Sequence, residues 1–345
     1  MTGAMTPVKF GLVGYGFGGR YFHAPLLAAA PGCELLGVLT SAPERQALVR
    51  RELPGTPAVT SLAALADAGA EAVAISTPAG THTMLTEQAL ALGLAVVCDK
   101  PFALHPDAAR HTVELSEHLG LVLSPYQNRR WDSDFLTVRK LVSEGALGTV
   151  TRFESRFERF APRSGPGPSG GGTLLDFGSH LVDQALVLLG PVTAVYAESR
   201  QRETGLDDDV FLALNHRSGA RSQLWGSWSQ SAPGPRYRVT GTGATYVLAA
   251  GDTQEDHLVA GESPASAGRQ WGAEPPGTFG TLHTGTESRV QATERGQWDL
   301  FYPSFASAVR GTGPAPVSAR DAVATAIVLE AAKTSAARRA VVEIP

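Results

Sequence analysis

The chain has 345 residues, of which 43% are apolar and 18% charged, with a formal net charge of −4. At roughly 150 residues per domain this length suggests two domains, each able to bury a sizeable core. So little charge excludes a disordered or coiled-coil chain, and the slight acidity leaves no basic surface for nucleic acid.

Through about residue 125, short aliphatic runs alternate with helical patterns. Val8–Val13 reads as a strand, Phe17–Ala30 as a helix and Leu35–Leu39 as the second strand. Further strands are predicted at Ala72–Ser76, Leu94–Cys98 and Leu121–Leu123, with helices ending near Leu92 and spanning Pro106–Leu119. Continuous aliphatic strands alternating with helices suit a parallel sheet covered on both faces, a doubly wound α/β fold. After residue 125 the pattern changes to alternating polar and apolar residues. Thr149–Phe160, Val192–Ser199, Val210–His216, Ser222–Ser229 and Tyr237–Gly241 read as half-exposed strands of one mostly antiparallel sheet. Ala161–Gly172 is a Gly/Pro/Ser-rich loop before a helix starting near Thr173, and Glu262–Gly296 is irregular. The expected domains are therefore 1–125, dinucleotide-binding, and 126–345, an α+β domain for substrate binding and oligomerisation. An open sheet of this kind would present a broad apolar face unless paired, which predicts a homodimer or homotetramer.

Cys33 and Cys98 cannot build a disulfide framework and read as buried free thiols. Met1–Lys9 has no apolar leader core, and no apolar run is long enough for a membrane span, so a cytoplasmic protein is expected. No His/Cys cluster has the spacing of a metal site.

Three motifs carry chemistry. Gly14-Tyr15-Gly16-Phe17-Gly18-Gly19 is a G-x-G-x-x-G run between a predicted strand and a predicted helix. Gly14 permits the tight turn, Gly16 lets backbone approach a pyrophosphate, Gly19 lets helix pack on strand, and the helix N-terminus offers free N–H groups. Phe17 and Gly18 lie within the same turn. The second strand ends in Thr40-Ser41-Ala42-Pro43-Glu44-Arg45, with no acid at its tip to hold a ribose 2′-hydroxyl. Thr40 and Ser41 offer hydroxyls and Arg45 a partner for a 2′-phosphate, which favours NADP over NAD. Alternatively Glu44 swings in, or Arg45 is merely solvated.

The second motif, Asp99-Lys100-Pro101, follows a parallel strand and so lies where such sheets hold ligands; Lys100 can stabilise charge on a reacting oxygen. In the third, Gly171-Gly172-Thr173-Leu174-Leu175-Asp176-Phe177-Gly178-Ser179-His180, Asp176 and His180 share a helix face. An imidazole is the usual proton acceptor for a secondary alcohol, and a carboxylate can fix its tautomer. The plain alternatives are a surface lysine, a helix-start acid and a core histidine. Asp183 is assigned a structural role. Arg156 and Arg163 are candidate substrate contacts.

In this order the three motifs resemble the signatures of the Gfo/Idh/MocA oxidoreductase family, over nearly the whole chain. Thr77-Pro78-Ala79-Gly80-Thr81-His82, Asn128-Arg129-Arg130-Trp131-Asp132, Phe301-Tyr302 and Pro316-Val317-Ser318 add to the likeness. The resemblance implies a Rossmann domain followed by a domain with a large, open, mainly antiparallel sheet. It implies reversible oxidation of a sugar or cyclitol hydroxyl with NAD or NADP, and Lys100, Asp176 and His180 as the catalytic trio. It further implies that Thr77, Pro78 and His82 line the cofactor, with Asn128 and Trp131 on the nicotinamide side. Tyr126–Phe135 and Phe153–Phe160 look most like the branch containing NADP-dependent scyllo-inositol dehydrogenases, which brings Tyr126 in as a substrate contact. The competing expectations are a reductase of another carbonyl or imine, and a non-catalytic cofactor sensor, which would need neither Lys100 nor His180.

Overall fold

The computed structural model describes residues 6–345; the first part of the Met1–Lys9 stretch lies outside the described residues. Contacts divide the chain into two compact units. The first takes its sequence to Tyr126 and adds Gln254–Trp271 and Gln297–Val323; the second holds Gln127–Thr253, Gly272–Gly296 and Ala324 onward.

In the first unit, strands β1 (Val8–Val13), β2 (Cys33–Leu39), β3 (Ala58–Val59), β4 (Ala72–Ile75), β5 (Ala95–Cys98) and β6 (Leu123–Pro125) form a parallel sheet ordered β3-β2-β1-β4-β5-β6. Every residue of β4 and β5 is buried, as the unbroken aliphatic runs require when helices cover both faces. The helices are α1 (Ala24–Ala29), α2 (Pro43–Glu52), α3 (Leu62–Asp67), α4 (His82–Ala91) and α5 (Pro106–Leu119).

The predicted helix from Phe17 is not regular: Gly18–His23 is a π-helical turn, and α1 begins only at Ala24. Pro25 has no N–H and its ring crowds the preceding turn, so the bonds before it widen; Ala24 N–H donates to Gly19 O, five residues back. The last strand also starts later than expected. Gly120 ends α5 in a left-handed conformation (φ 65°) and Leu121 N–H bonds back to Ser116 O, so residue 121 belongs to the helix cap.

In the second unit, α6 (Ser133–Ser143) and α7 (Thr173–Leu189) accompany β7 (Val150–Glu158), β8 (Val192–Gln201), β9 (Asp207–His216), β10 (Arg221–Ser227), β11 (Tyr237–Gly241), β12 (Thr245–Leu248), β13 (Gly280–His283), β14 (Ser288–Gln291) and β15 (Val342–Glu343). The sheet order is β14-β13-β12-β11-β7-β10-β9-β8-β15, antiparallel throughout except for the β7–β10 pair. Phe153, Phe157, Leu212, Leu224 and Val239 bury one face in a core shared with Phe177, Leu181 and Ala185 of α7. Burying each large side chain stabilises by about 1.5–3 kcal/mol before entropy is counted.

Two expectations are corrected here. Part of the irregular 262–296 stretch is the β13–β14 hairpin, which extends the sheet edge; its short, polar-rich strands gave no usable alternation. The face opposite α7 is not uniformly apolar. One register line across it runs Val247, Arg238, Glu154, Gln223, Ala213, Tyr196, and the next sets Arg156 over the Trp225 ring at 3.9 Å beside Phe211.

The later elements α8 (Gln254–Val259), α9 (Pro264–Ala267) and α10 (Phe301–Val309) belong to the first unit, unlike a single cut near residue 125; α11 (Ala319–Arg338) follows. The reason is aromatic packing: Tyr302 and Phe305 stand 5.5 and 5.8 Å from Phe10, and Trp298 lies 5.9 Å from Phe22. Cys98 is buried, whereas Cys33 is only half-buried; both are free, and burial pushes each thiol up to about 12. No described helix is long and apolar enough to cross a membrane.

Candidate active site

In the first unit the glycine loop sits at the carboxyl end of β1. Gly14 has φ +100°, and a Cβ there would collide with Ser76 O. A Cβ on Gly19 would collide with the Gly14 carbonyl, backbone against backbone. By contrast nothing lies within 4 Å of a Cβ on Gly16, so backbone is presented to open space there, as close approach by a pyrophosphate requires. The residues therefore fit a dinucleotide. Phe17 is 57% exposed, its ring resting on Tyr21 and Phe22.

A support that the sequence did not reveal holds this loop from α2. Arg20 binds Glu52 through two bonds of 2.7 Å, and the Tyr15 hydroxyl donates to the same carboxylate at 3.3 Å. Burial, then Glu52, pushes the Tyr15 hydroxyl up to about 12, so it stays a donor.

Gly19→Ala is expected to lower the melting temperature, as overpacking typically costs about 1–3 kcal/mol. Gly16→Ala should leave the melting temperature alone and weaken NADPH binding. Thermal scans paired with NADPH fluorescence titrations separate the two, and tight binding by Gly16→Ala would remove that position from the cradle.

At the β2 tip Thr40 is buried and its carbonyl accepts from Gln46 Nε2 at 3.0 Å, while Ser41, Glu44 and Arg45 are exposed. After β4, Thr77 and Thr81 share a hydrogen bond of 2.7 Å, and Thr81 N–H caps back onto Pro78 O. His82 is 1% exposed, and its two ring nitrogens face Thr77 O and Pro101 O at 2.8 Å each. This corrects its assignment as a cofactor contact: His82 braces two loops from behind.

Lys100 follows β5, half-buried, with a cis bond to Pro101, and its N–H donates to Asp99 Oδ1 at 2.7 Å. Asp99 in turn lies against Gly18, so the residue before Lys100 abuts the glycine loop. Tyr126 is corrected as well. Its ring is buried, 4.3 Å from His23 and 4.8 Å from Phe301, which is a core position.

In the second unit, Asn128–Trp131 forms a 3-10 turn with Asn128 buried and Trp131 half-exposed. Arg130 binds Asp183 through two bonds of 2.8 and 2.6 Å, and Arg129 pairs with Asp132 at 3.4 Å. Asp183 is thus held by Arg130. Burial, reinforced by Asp252 and Asp134 and opposed by Arg129, pushes the Asp132 carboxyl well above the usual carboxylate range.

Asp176 and His180 lie on α7, one turn apart; Asp176 is half-exposed in the first turn and His180 is 4% exposed. The imidazole runs parallel to Phe157, 6.3 Å away at 16°. Gly172 (φ +100°) starts the helix; the Asp207 carboxylate of β9 caps it by accepting Leu174 N–H at 2.6 Å, and the Asp207 main-chain carbonyl accepts Thr173 Oγ1–H at 2.8 Å. Burial pushes the Asp207 carboxyl up, against the bond from Leu174 N–H. A cap supplied from a distant strand leaves no local signal.

Of the two arginines chosen from sequence, Arg156 points to the face opposite Phe157 and His180, because side chains alternate along β7. Arg156, expected as a substrate contact, therefore lies on the sheet face away from His180. Arg163 is exposed in the loop after β7. Arg159, one pleat beyond Phe157, is the residue the sequence missed: its guanidinium lies 5.3, 5.6 and 5.7 Å from the Phe157, Phe177 and Trp228 rings. Among the described residues no group of His, Cys, Asp and Glu could hold a metal ion.

Comparisons with known proteins agree with this geometry. Residues 8–127 match the model of the oxidoreductase family with an NAD-binding Rossmann fold, and residues 135–247 match the GFO/IDH/MocA C-terminal domain. The chain is 36% identical over 350 residues to the uncharacterized oxidoreductase YdgJ of Escherichia coli (96% of this chain, 97% of that one). It is 32% identical over 340 residues to the NADP(+) scyllo-inositol 2-dehydrogenase IolW of Bacillus subtilis (95% and 93%). The solved structure of the Bacillus subtilis oxidoreductase yvaA superposes with a TM-score of 0.91 at 30% identity, covering 99% of each chain. Glycine loop, strand-end lysine, capped histidine helix and open sheet together make this chain a member of the GFO/IDH/MocA oxidoreductase family.

Proposed function

We propose that this oxidoreductase moves a hydride between NADP and a secondary hydroxyl or ketone of a cyclitol or sugar, with an inositol as the preferred class. The observation that carries the reading is that Asp99, the residue before Lys100, lies against Gly18 and accepts the Lys100 N–H. Likeness to the NADP(+) scyllo-inositol 2-dehydrogenase over 95% of the chain supports the substrate class.

Gly14, Gly16, Phe17, Gly18 and Gly19 hold the pyrophosphate end, with Thr40, Ser41 and Arg45 at the ribose and its 2′-phosphate. Thr77, Pro78, Asn128 and Trp131 complete the contacts. When bound, the nicotinamide supplies the hydride acceptor or donor. His180 takes the hydroxyl proton, Lys100 donates a hydrogen bond to the same oxygen, and Asp176 sets the imidazole tautomer. The first unit carries the dinucleotide part and the second unit the substrate and oligomerisation part. The protein works as a cytoplasmic homodimer or homotetramer.

The test is a screen of purified protein against inositols, aldoses and their keto forms with NADP and NAD separately. NADP-linked turnover of an inositol supports the reading; turnover only of other carbonyls or imines moves the substrate class, and cofactor binding with no turnover ends it. Arg45→Ala is expected to lower the NADP-to-NAD ratio of kcat/KM about tenfold, the scale of one charge-assisted bond at an exposed position. An unchanged ratio assigns the 2′-phosphate elsewhere.

A further inference from the structure

His23 ends the π-helical turn after the glycine loop and is 0% exposed. Its Nδ1 faces the Tyr302 hydroxyl, and its Nε2 faces Asp99 Oδ2 at 3.3 Å. The same oxygen accepts from Ser76 Oγ at 2.9 Å, and Asp99 Oδ1 accepts Lys100 N–H at 2.7 Å. Burial alone would push the Asp99 carboxyl up. The His23 hydrogen bond and the charges of His23, Lys100 and His82 outweigh it and hold the group well below the usual carboxylate range. A carboxylate only accepts, so His23 Nε2 carries a proton and donates to Asp99. Asp99 stands at the joint of two segments: Lys100 follows it, and a Cβ on Gly18 would come within 3.0 Å of Asp99 Oδ2.

We propose that His23, backed by Tyr302, is a positioning residue: its imidazole clamps Asp99, and through Asp99 it fixes both the Lys100 backbone and the seat of the glycine loop. This rests on the reading that Lys100 acts at the reacting oxygen. Without His23 the buried carboxylate loses a donor and must turn or take up a proton, either of which disturbs its bond to Lys100 N–H. Misplacement of a working group by about 1 Å can cost about 10²-fold in rate.

The test uses the full chain with His23→Leu, His23→Gln, Tyr302→Phe and Lys100→Met. Turnover of scyllo-inositol with NADP is one readout. The other needs no substrate: acetic anhydride labelling mapped by mass spectrometry, with Lys100 compared against Lys9, Lys140 and Lys333, the remaining lysines of the chain. His23→Leu is expected to lower kcat about 10- to 10²-fold, with smaller changes in KM, and to shift the labelling of Lys100 relative to Lys333. His23→Gln can donate to Asp99 and accept from Tyr302, so it should recover most of both. A folded His23→Leu with wild-type kcat and wild-type labelling overturns the proposal. If that variant does not fold, Tyr302→Phe decides, and wild-type values there overturn it. Lys100→Met separates the two levels: retained turnover removes Lys100 from the chemistry, whereas lost turnover beside normal His23 and Tyr302 variants removes only the clamp. If scyllo-inositol is not a substrate, labelling alone decides.

Discussion

Replacing His180 with alanine is expected to lower kcat about 10²- to 10⁴-fold while KM changes little, because general-base assistance acts in the transition state and not in substrate binding. An alcohol cannot release hydride efficiently while it keeps its proton, and His180 is the group assigned to remove it. The imidazole is buried on a helix whose first turn Asp207 caps from β9, so its position is set before substrate arrives. Asp176→Asn should lower kcat less, since it alters the tautomer preference and leaves the base in place. Steady-state kinetics with the cyclitol found in the screen check both. A folded His180→Ala protein with kcat within about threefold of wild type would assign the base elsewhere.

Arg236→Met is expected to destabilise the second unit by about 3–5 kcal/mol. Arg236 is 9% exposed and donates to Asp134 at 3.0 Å, to Ser155 Oγ at 2.8 Å, to Arg156 O at 3.0 Å and to Gln184 Oε1 at 3.3 Å. Its guanidinium also lies 4.2 Å over the Tyr237 ring, whose hydroxyl shares Gln184. Methionine fills the volume and leaves Asp134 a buried charge with its cation gone. The chain has two units, so the readout is the transition of the second unit, not a single melting point. That transition should fall by about 10 °C. Arg236→Met with Asp134→Asn should recover much of the loss, because the double change removes the uncompensated charge. A shift near zero in the single variant would mean that water or a rearranged neighbour satisfies Asp134.

Local physics made the chemistry-bearing segments readable. Gly14 needs a positive φ, and Gly19 needs the absence of a Cβ, wherever a strand turns tightly into a helix. The aliphatic runs at Ala72–Ile75 and Ala95–Cys98 suit only strands buried on both faces. Lys100 inherits its placement from being the second residue after such a strand. His82 and Tyr126 sit in recognisable motifs too, but a motif does not say which way a side chain turns, and both turn into the core.

Amino-acid order by itself determined the two fold types, the glycine loop, the strand-end lysine and the helix that carries Asp176 and His180, because each depends on residues close together in the chain. Tertiary structure alone decided that Glu52 holds the loop, that Asp207 caps α7, that Tyr302 and His23 stand behind Asp99, and that Arg159 and not Arg156 shares a face with His180. Partners separated by tens to hundreds of residues leave no periodic signature, and the face an arginine takes on a strand is settled by register and core packing.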